Sequence, residues 1–153
     1  MRPPSTAFTM ATLVLYQPDQ VLRARLASVT ELSTFAAAVM RAAAAAFPIG
    51  SPPREFDIVV AVKPGRRARF WFVSVPAGEV PEMLEEQLQA IPPPDVHNGA
   101  VAVAVVGSVS GASTCQDVEP FFPPIPAAWA DAVPEGPAIT TFPDGVLPVV
   151  WPD

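Results

Sequence analysis

Few side chains in this 153-residue chain could carry acid–base or nucleophilic chemistry, and their scarcity narrows function before any element is assigned. His97 is the single histidine and Cys115 the single cysteine. An imidazole and a thiol that meet in space form a base–nucleophile pair. His97, however, lies in Pro94-Asp95-Val96-His97-Asn98-Gly99, a turn sequence that reads as a solvated loop, and nothing next to Cys115 would activate its thiol. A lone cysteine excludes an intramolecular disulfide, a CxxC pair and a Cys-rich zinc site, and fits a reducing cytoplasm. Glu82, Glu85 and Glu86 fall at helical spacing, with Glu82 and Glu86 on one face, where two carboxylates could hold a divalent cation. Without a histidine at ligand spacing or a second acidic helix, they read as the solvated side of an amphipathic helix. Gly107-Ser108-Val109-Ser110-Gly111 matches neither a phosphate-binding loop nor a serine-nucleophile turn placed before a helix, and reads as a loop at a strand end. The expectation is a non-enzyme with no catalytic residue, no metal and no cofactor.

Chemistry is concentrated instead in charge. Arg54, Lys63, Arg66, Arg67 and Arg69 fall within sixteen residues, beside Trp71. Cations interleaved with an aromatic can grip a phosphate backbone while the ring stacks on a base, but a chain of pI about 4.6 and net charge −6 repels polyanions, so nucleic acid is not the expected partner. The charge is also split along the chain. All nine Lys and Arg lie at or before Arg69, against four acids there, a net of +5; the remaining eleven acids meet no Lys or Arg, a net of −11. Either the halves attract each other, within the fold or across a homodimer, or the acidic half presents a field to a basic partner. The partner-binding candidates are therefore Arg66, Arg67, Arg69 and Trp71 on the basic side, Glu82, Glu85 and Glu86 on the acidic side, and Trp129 and Trp151 in the tail.

These residues need elements to position them. With 16% charged residues and a mean hydropathy of +0.34, the chain is too apolar for disorder and long enough for one core. Residues 8–16 and 21–27 read as a hairpin turning at Gln17-Pro18-Asp19-Gln20, with Leu22, Ala24 and Leu26 alternating inward. Ser28 and Glu31 have capping-box spacing, and Leu32, Phe35, Ala36, Val39, Met40, Ala43 and Phe47 mark one helical face. Residues 56–62 and 67–75 read as a second hairpin about Pro64-Gly65, with Ala68, Phe70 and Phe72 on one face and Arg67, Arg69, Trp71 and Val73 on the other. A second helix over 81–91 carries Met83, Leu84, Leu88 and Ile91, and the uncharged run 100–109 suits a strand buried on both faces. A shift of 46 superposes Pro18 on Pro64, Ser28 on Ser74 and Pro48 on Pro94, a hint of a duplicated ββα unit over 8–55 and 56–109.

Nine of the 21 prolines fall between Pro120 and Pro152. With Phe121, Phe122, Trp129, Phe142 and Trp151 among them, the 112–153 tail is too aromatic for a linker and is expected to pack on the 1–111 body. It reads as a short helix over 125–133 and a third hairpin, 139–142 and 146–151, about Pro143-Asp144-Gly145. The fold expected is thus α+β, an antiparallel sheet of hairpins covered by two main helices, without a membrane-spanning segment.

From Phe56 to Gly107, the strand, the Pro64-Gly65 turn, the return strand, the helix, Pro94, Gly99 and the strand Val101-Ala102-Val103-Ala104-Val105 resemble the ββαβ plan of TonB C-terminal domains over about a third of the chain. The resemblance implies local topology and an adaptor role, and it transfers no binding residue. Three function classes follow: an acidic inhibitor or immunity-type protein that caps a partner, an adaptor or homo-oligomeric assembly component joining chains by sheet-edge addition, and, third, a small-ligand carrier or enzyme using a cavity between sheet and helices.

Overall fold

The computed structural model describes residues 6–114, 117, 124–129 and 142–152. Four antiparallel strands, β1 (Phe8–Leu15), β2 (Arg54–Lys63), β3 (Arg67–Val75) and β4 (Val101–Val109), form one sheet in the order β1-β4-β2-β3. The last of these four strands in sequence is therefore central, which explains why β4 needs no polar residue before Ser108. Phe8 crosses against Gly107 on it, where any Cβ would overlap the phenyl ring, so glycine is required by space.

One face of the sheet is covered by α1 (Asp19–Arg25), α2 (Val29–Ala46) and α3 (Leu84–Gln89). Leu22 and Leu26 around α1, Leu32, Phe35, Val39 and Ala43 from α2, and Leu84 and Leu88 from α3 close over Phe56, Ile58, Val60 and Val62. α2 begins as the sequence indicates: the Ser28 hydroxyl accepts from the Glu31 N–H at 3.3 Å. The opposite face buries Val59, Ala61, Trp71, Ala102, Ala104 and Val106 under a 3₁₀ turn, Ala127–Trp129, and α4 (Phe142–Val150), which contributes Val146 and Leu147. Trp129 is fully buried, edge-on to Trp71 at 5.1 Å, and the Tyr16 hydroxyl donates to the Pro124 carbonyl beneath it. The described parts of the tail are thus a covering layer of the sheet.

The architecture is the α+β antiparallel sheet with helices expected, with two corrections. Residues 19–25 form α1, not the return strand of a first hairpin, and β1 pairs with β4. Leu22 and Leu26, four apart, face inward equally well from a strand or a helix, while the Asp19–Arg23 pair at 2.8 Å favours the helix. Residues 142–150 form α4 where a third hairpin was expected; Pro143 sits in the first turn, where no N–H is needed, and Val146, Leu147 and Val150 make one helical stripe. Residues 8–55 therefore run β-α-α up to the start of β2, whereas residues 56–109 run β-β-α-β. Phe121, Phe122, residues 130–133 of the expected tail helix and residues 139–141 lie outside the described residues.

Candidate functional site

The β2–β3 hairpin is as read from sequence, with Lys63 opposite Arg67 across the turn and side chains sorted by alternation. The structure separates its cations. Arg66, in the left-handed region at φ 56°, points to the helix-covered side and donates from Nη1 to Glu31 Oε1 at 3.3 Å and to the Pro93 carbonyl at 3.0 Å. Lys63 and Arg69 turn to the other side: Lys63 Nζ donates to the Trp151 carbonyl and sits 4.3 Å over the Trp151 ring, and Arg69 Nη1 donates to the Val150 carbonyl at 3.3 Å while its guanidinium lies 5.4 Å from Trp71. Two cations from the sheet thereby cap the carbonyl end of α4, which has no basic residue in its own last turn. Arg67 Nε donates to the Pro64 carbonyl at 3.1 Å within the turn. Arg54, at the far end of the ten-residue β2, belongs to a different environment.

Of the remaining candidates, Trp71 and Trp129 are core side chains that join the sheet to its C-terminal cover, while Trp151 is half-buried under Lys63. Arg69, Phe70, Glu85, Glu86 and Gln89 line one depression of about 340 Å³, and Arg66, Arg67 and Trp151 share a neighbouring one of about 380 Å³. The expected basic and acidic groups thus meet along the β3 side of the molecule, without direct ion pairing: no Lys or Arg nitrogen among the described residues comes within 4.0 Å of Glu79, Glu82, Glu85 or Glu86. α3 is shorter than the 81–91 expected; Met83 flanks it, 55% exposed, among these four exposed carboxylates. Arg25, Lys63, Arg66 and Arg69 hold the acidic half through backbone carbonyls, Arg25 by the Ala100 carbonyl at 2.8 Å.

His97 is exposed on a loop, tied by its backbone N–H to the Arg25 carbonyl at 2.8 Å. Cys115 lies outside the described residues. Among the described residues no three His, Cys, Asp or Glu side chains gather as metal ligands, and no helix is long and apolar enough to cross a membrane.

Two features escape the sequence reading. Asp57 is fully buried in β2 on the face shared with Val59 and Ala61; Oδ1 accepts from the Gly107 N–H at 3.3 Å, and Oδ2 finds no donor among the described residues, its polar neighbour being the Glu55 carboxyl. Burial first, then the neighbouring Glu55 carboxyl, pushes the Asp57 carboxyl up to about 9. The signal was a single acid inside the apolar run Phe56-Asp57-Ile58-Val59-Val60. The second is a cleft at the Arg54 end of the hairpin, enclosing about 860 Å³ between the chain leaving α2 and the connection from β3 to α3.

No family model matches this chain, and no curated protein or solved structure matches it.

Proposed function

We propose that this is a non-catalytic protein-binding protein of the inhibitor or immunity type, acting in a reducing cytoplasm and capping a basic partner with its acidic side. The observation that carries the reading is the run Glu79, Glu82, Glu85 and Glu86, four exposed carboxylates none of which forms an ion pair among the described residues, set around the exposed Met83. An apolar contact ringed by carboxylates that are not ion-paired suits a partner of the opposite sign, because the field accelerates encounter while the desolvated centre supplies affinity. The shortage of nucleophiles and bases supports binding over turnover.

One observation favours a second reading, an adaptor of TonB C-terminal-like or homo-oligomeric kind. β1 is an edge strand without a charged residue or proline, and it exposes Met10 and Leu15. Such an edge is open to strand addition.

Affinity capture on the immobilised protein from its native cells, followed by salt titration of the captured complex, distinguishes the two. The first reading expects a basic protein whose affinity falls as salt rises and drops about tenfold or more in the Glu82→Gln/Glu85→Gln/Glu86→Gln variant. Capture of the protein's own copies, indifferent to that variant, would replace it with the adaptor; a captured partner indifferent to both salt and the variant would overturn it.

A further inference from the structure

The Arg54 cleft, which borders the acidic side at Glu79 and Glu82, carries an inference of its own. Arg54 opens β2 on the helix-covered face, and its guanidinium is 5.0 Å from the centroids of both Phe47 and Phe56. Nη1 donates to Ser74 Oγ at 3.1 Å, and the Ser74 hydroxyl in turn donates to the Pro76 carbonyl at 2.7 Å. This is the one protein acceptor its five N–H donors find among the described residues, and no carboxylate there comes within 4.0 Å. Burial alone draws the guanidinium below its ordinary pKa, as expected for a cation that loses water without gaining a counter-charge.

The surroundings are shaped for a ligand with an apolar body. Pro52, Pro53, Pro76, Val80 and Pro81 form the walls, and rings of proline are already stiff, so covering them orders little. Gly78 backs the guanidinium: a Cβ there would stand 2.7 Å from Nη1, although the backbone at 78 is not in the left-handed region. An alanine at 78 would therefore press on the guanidinium and displace this far end of a flexible side chain. Glu79 and Glu82 also line the cleft. One cation against two carboxylates opposes a dianion such as a phosphate monoester about twice as strongly as a single negative charge, and a single carboxylate is what the planar guanidinium can grip with two parallel N–H donors.

We propose that this cleft binds a monocarboxylate with a compact apolar body, its carboxylate on Arg54 and its body against the proline walls. A small organic acid and the terminal carboxylate of a peptide ending in an apolar residue both present this chemistry.

The test is a titration of the full chain followed by NMR of the Arg54 Nε–H and the backbone amides of Ala77, Gly78 and Glu79. The probes are benzoate, neutral benzamide, phenylphosphonate, and the peptide acetyl-Pro-Pro-Leu as its free acid and as its amide. Saturating shifts with benzoate or the free-acid peptide are expected below about 10 mM, with affinity at least about fivefold above benzamide, phenylphosphonate and the amidated peptide. Tighter binding of benzoate assigns the small acid, and tighter binding of the peptide assigns the chain terminus. Arg54→Met should abolish saturation. Because Arg54 also stacks on two rings, Gly78→Ala is the companion variant: it keeps the charge and the fold, crowds the fork, and should weaken binding about fivefold. Unsaturable shifts with both acids, equal binding of acid and amide, or unchanged affinity in Gly78→Ala would overturn the proposal.

Discussion

Asp57 shows how a single residue sets the pH response of the fold. Its carboxyl is fully buried, one oxygen is bonded to the Gly107 N–H and the other finds no donor among the described residues, so ionisation would leave a charge beside the Glu55 carboxyl in the sheet. With the folded value near 9 and an unfolded value near 3.8, the folded chain keeps a proton that the unfolded chain releases. The contribution of this group to stability is therefore full below pH about 4 and declines as pH rises towards 9, by at most about 1.4 kcal/mol per pH unit. Asp57→Asn keeps an acceptor for Gly107 and cannot ionise. Urea unfolding at pH 5 and pH 8 should show wild-type stability falling across that interval and the variant nearly flat, the variant being more stable at pH 8 by an order of a few kcal/mol. Parallel pH profiles for the two proteins would show that Asp57 is already ionised in the fold. Arg54 is the opposite case, a cation whose burial is relieved by aromatic faces and a serine hydroxyl.

At the scale of elements, local signals held where they were redundant. Ser28, Glu31 and a long one-sided stripe fixed α2; turn residues between two alternating runs fixed the β2–β3 hairpin; and an uncharged run of alanine and valine fixed β4 as doubly buried. They failed where one pattern satisfies two periods. Leu22 and Leu26 suit a strand or a helix, and Val146, Leu147 and Val150 beside prolines suit a short strand until Pro143 is placed in a first helical turn. The pairing of β1 with β4 was illegible for another reason: the partners are about ninety residues apart, and no local feature encodes that choice. Of the candidate surface, the acidic run and the arginine hairpin were visible as composition, whereas the Arg54 cleft arises only when the turn after α2 meets the β3–α3 connection. α4 also illustrates an element stabilised from outside. Its last carbonyls are held by Lys63 and Arg69, so Lys63→Met should remove a charge–dipole contact and a cation–ring contact, costing about 1–2 kcal/mol in urea unfolding, while Lys63→Arg retains most of it. An unchanged midpoint in Lys63→Met would mean that Val146 and Leu147 alone secure the helix.

At the scale of the molecule, the described hydrogen bonds that cations send between the two charge halves run mainly to carbonyl oxygens. The described ion pairs, Arg23–Asp19 and Arg66–Glu31, lie within the basic half, and both are exposed enough to contribute little. Arg25, Lys63, Arg66 and Arg69 reach the acidic half through carbonyl oxygens, and the exposed carboxylates from Glu79 to Glu86 form no ion pair among the described residues. Contacts between a cation and a carbonyl are short-ranged and lose little to salt, whereas repulsion among exposed carboxylates acts over the Debye length, which shrinks from about 30 Å at 0.01 M to about 8 Å at 0.15 M. Judged on the exposed run from Glu79 to Glu86, none of which is ion-paired among the described residues, added salt should remove more repulsion than attraction. Thermal unfolding at pH 7 is expected to move upward by a few degrees between 10 and 150 mM sodium chloride, at about the scale of 1 kcal/mol, and the Glu82→Gln/Glu85→Gln/Glu86→Gln variant should start higher and respond less. A melting temperature that falls with salt would show instead that attraction between the halves dominates, and that the acidic side is already neutralised within the fold, leaving no unbalanced field for a basic partner.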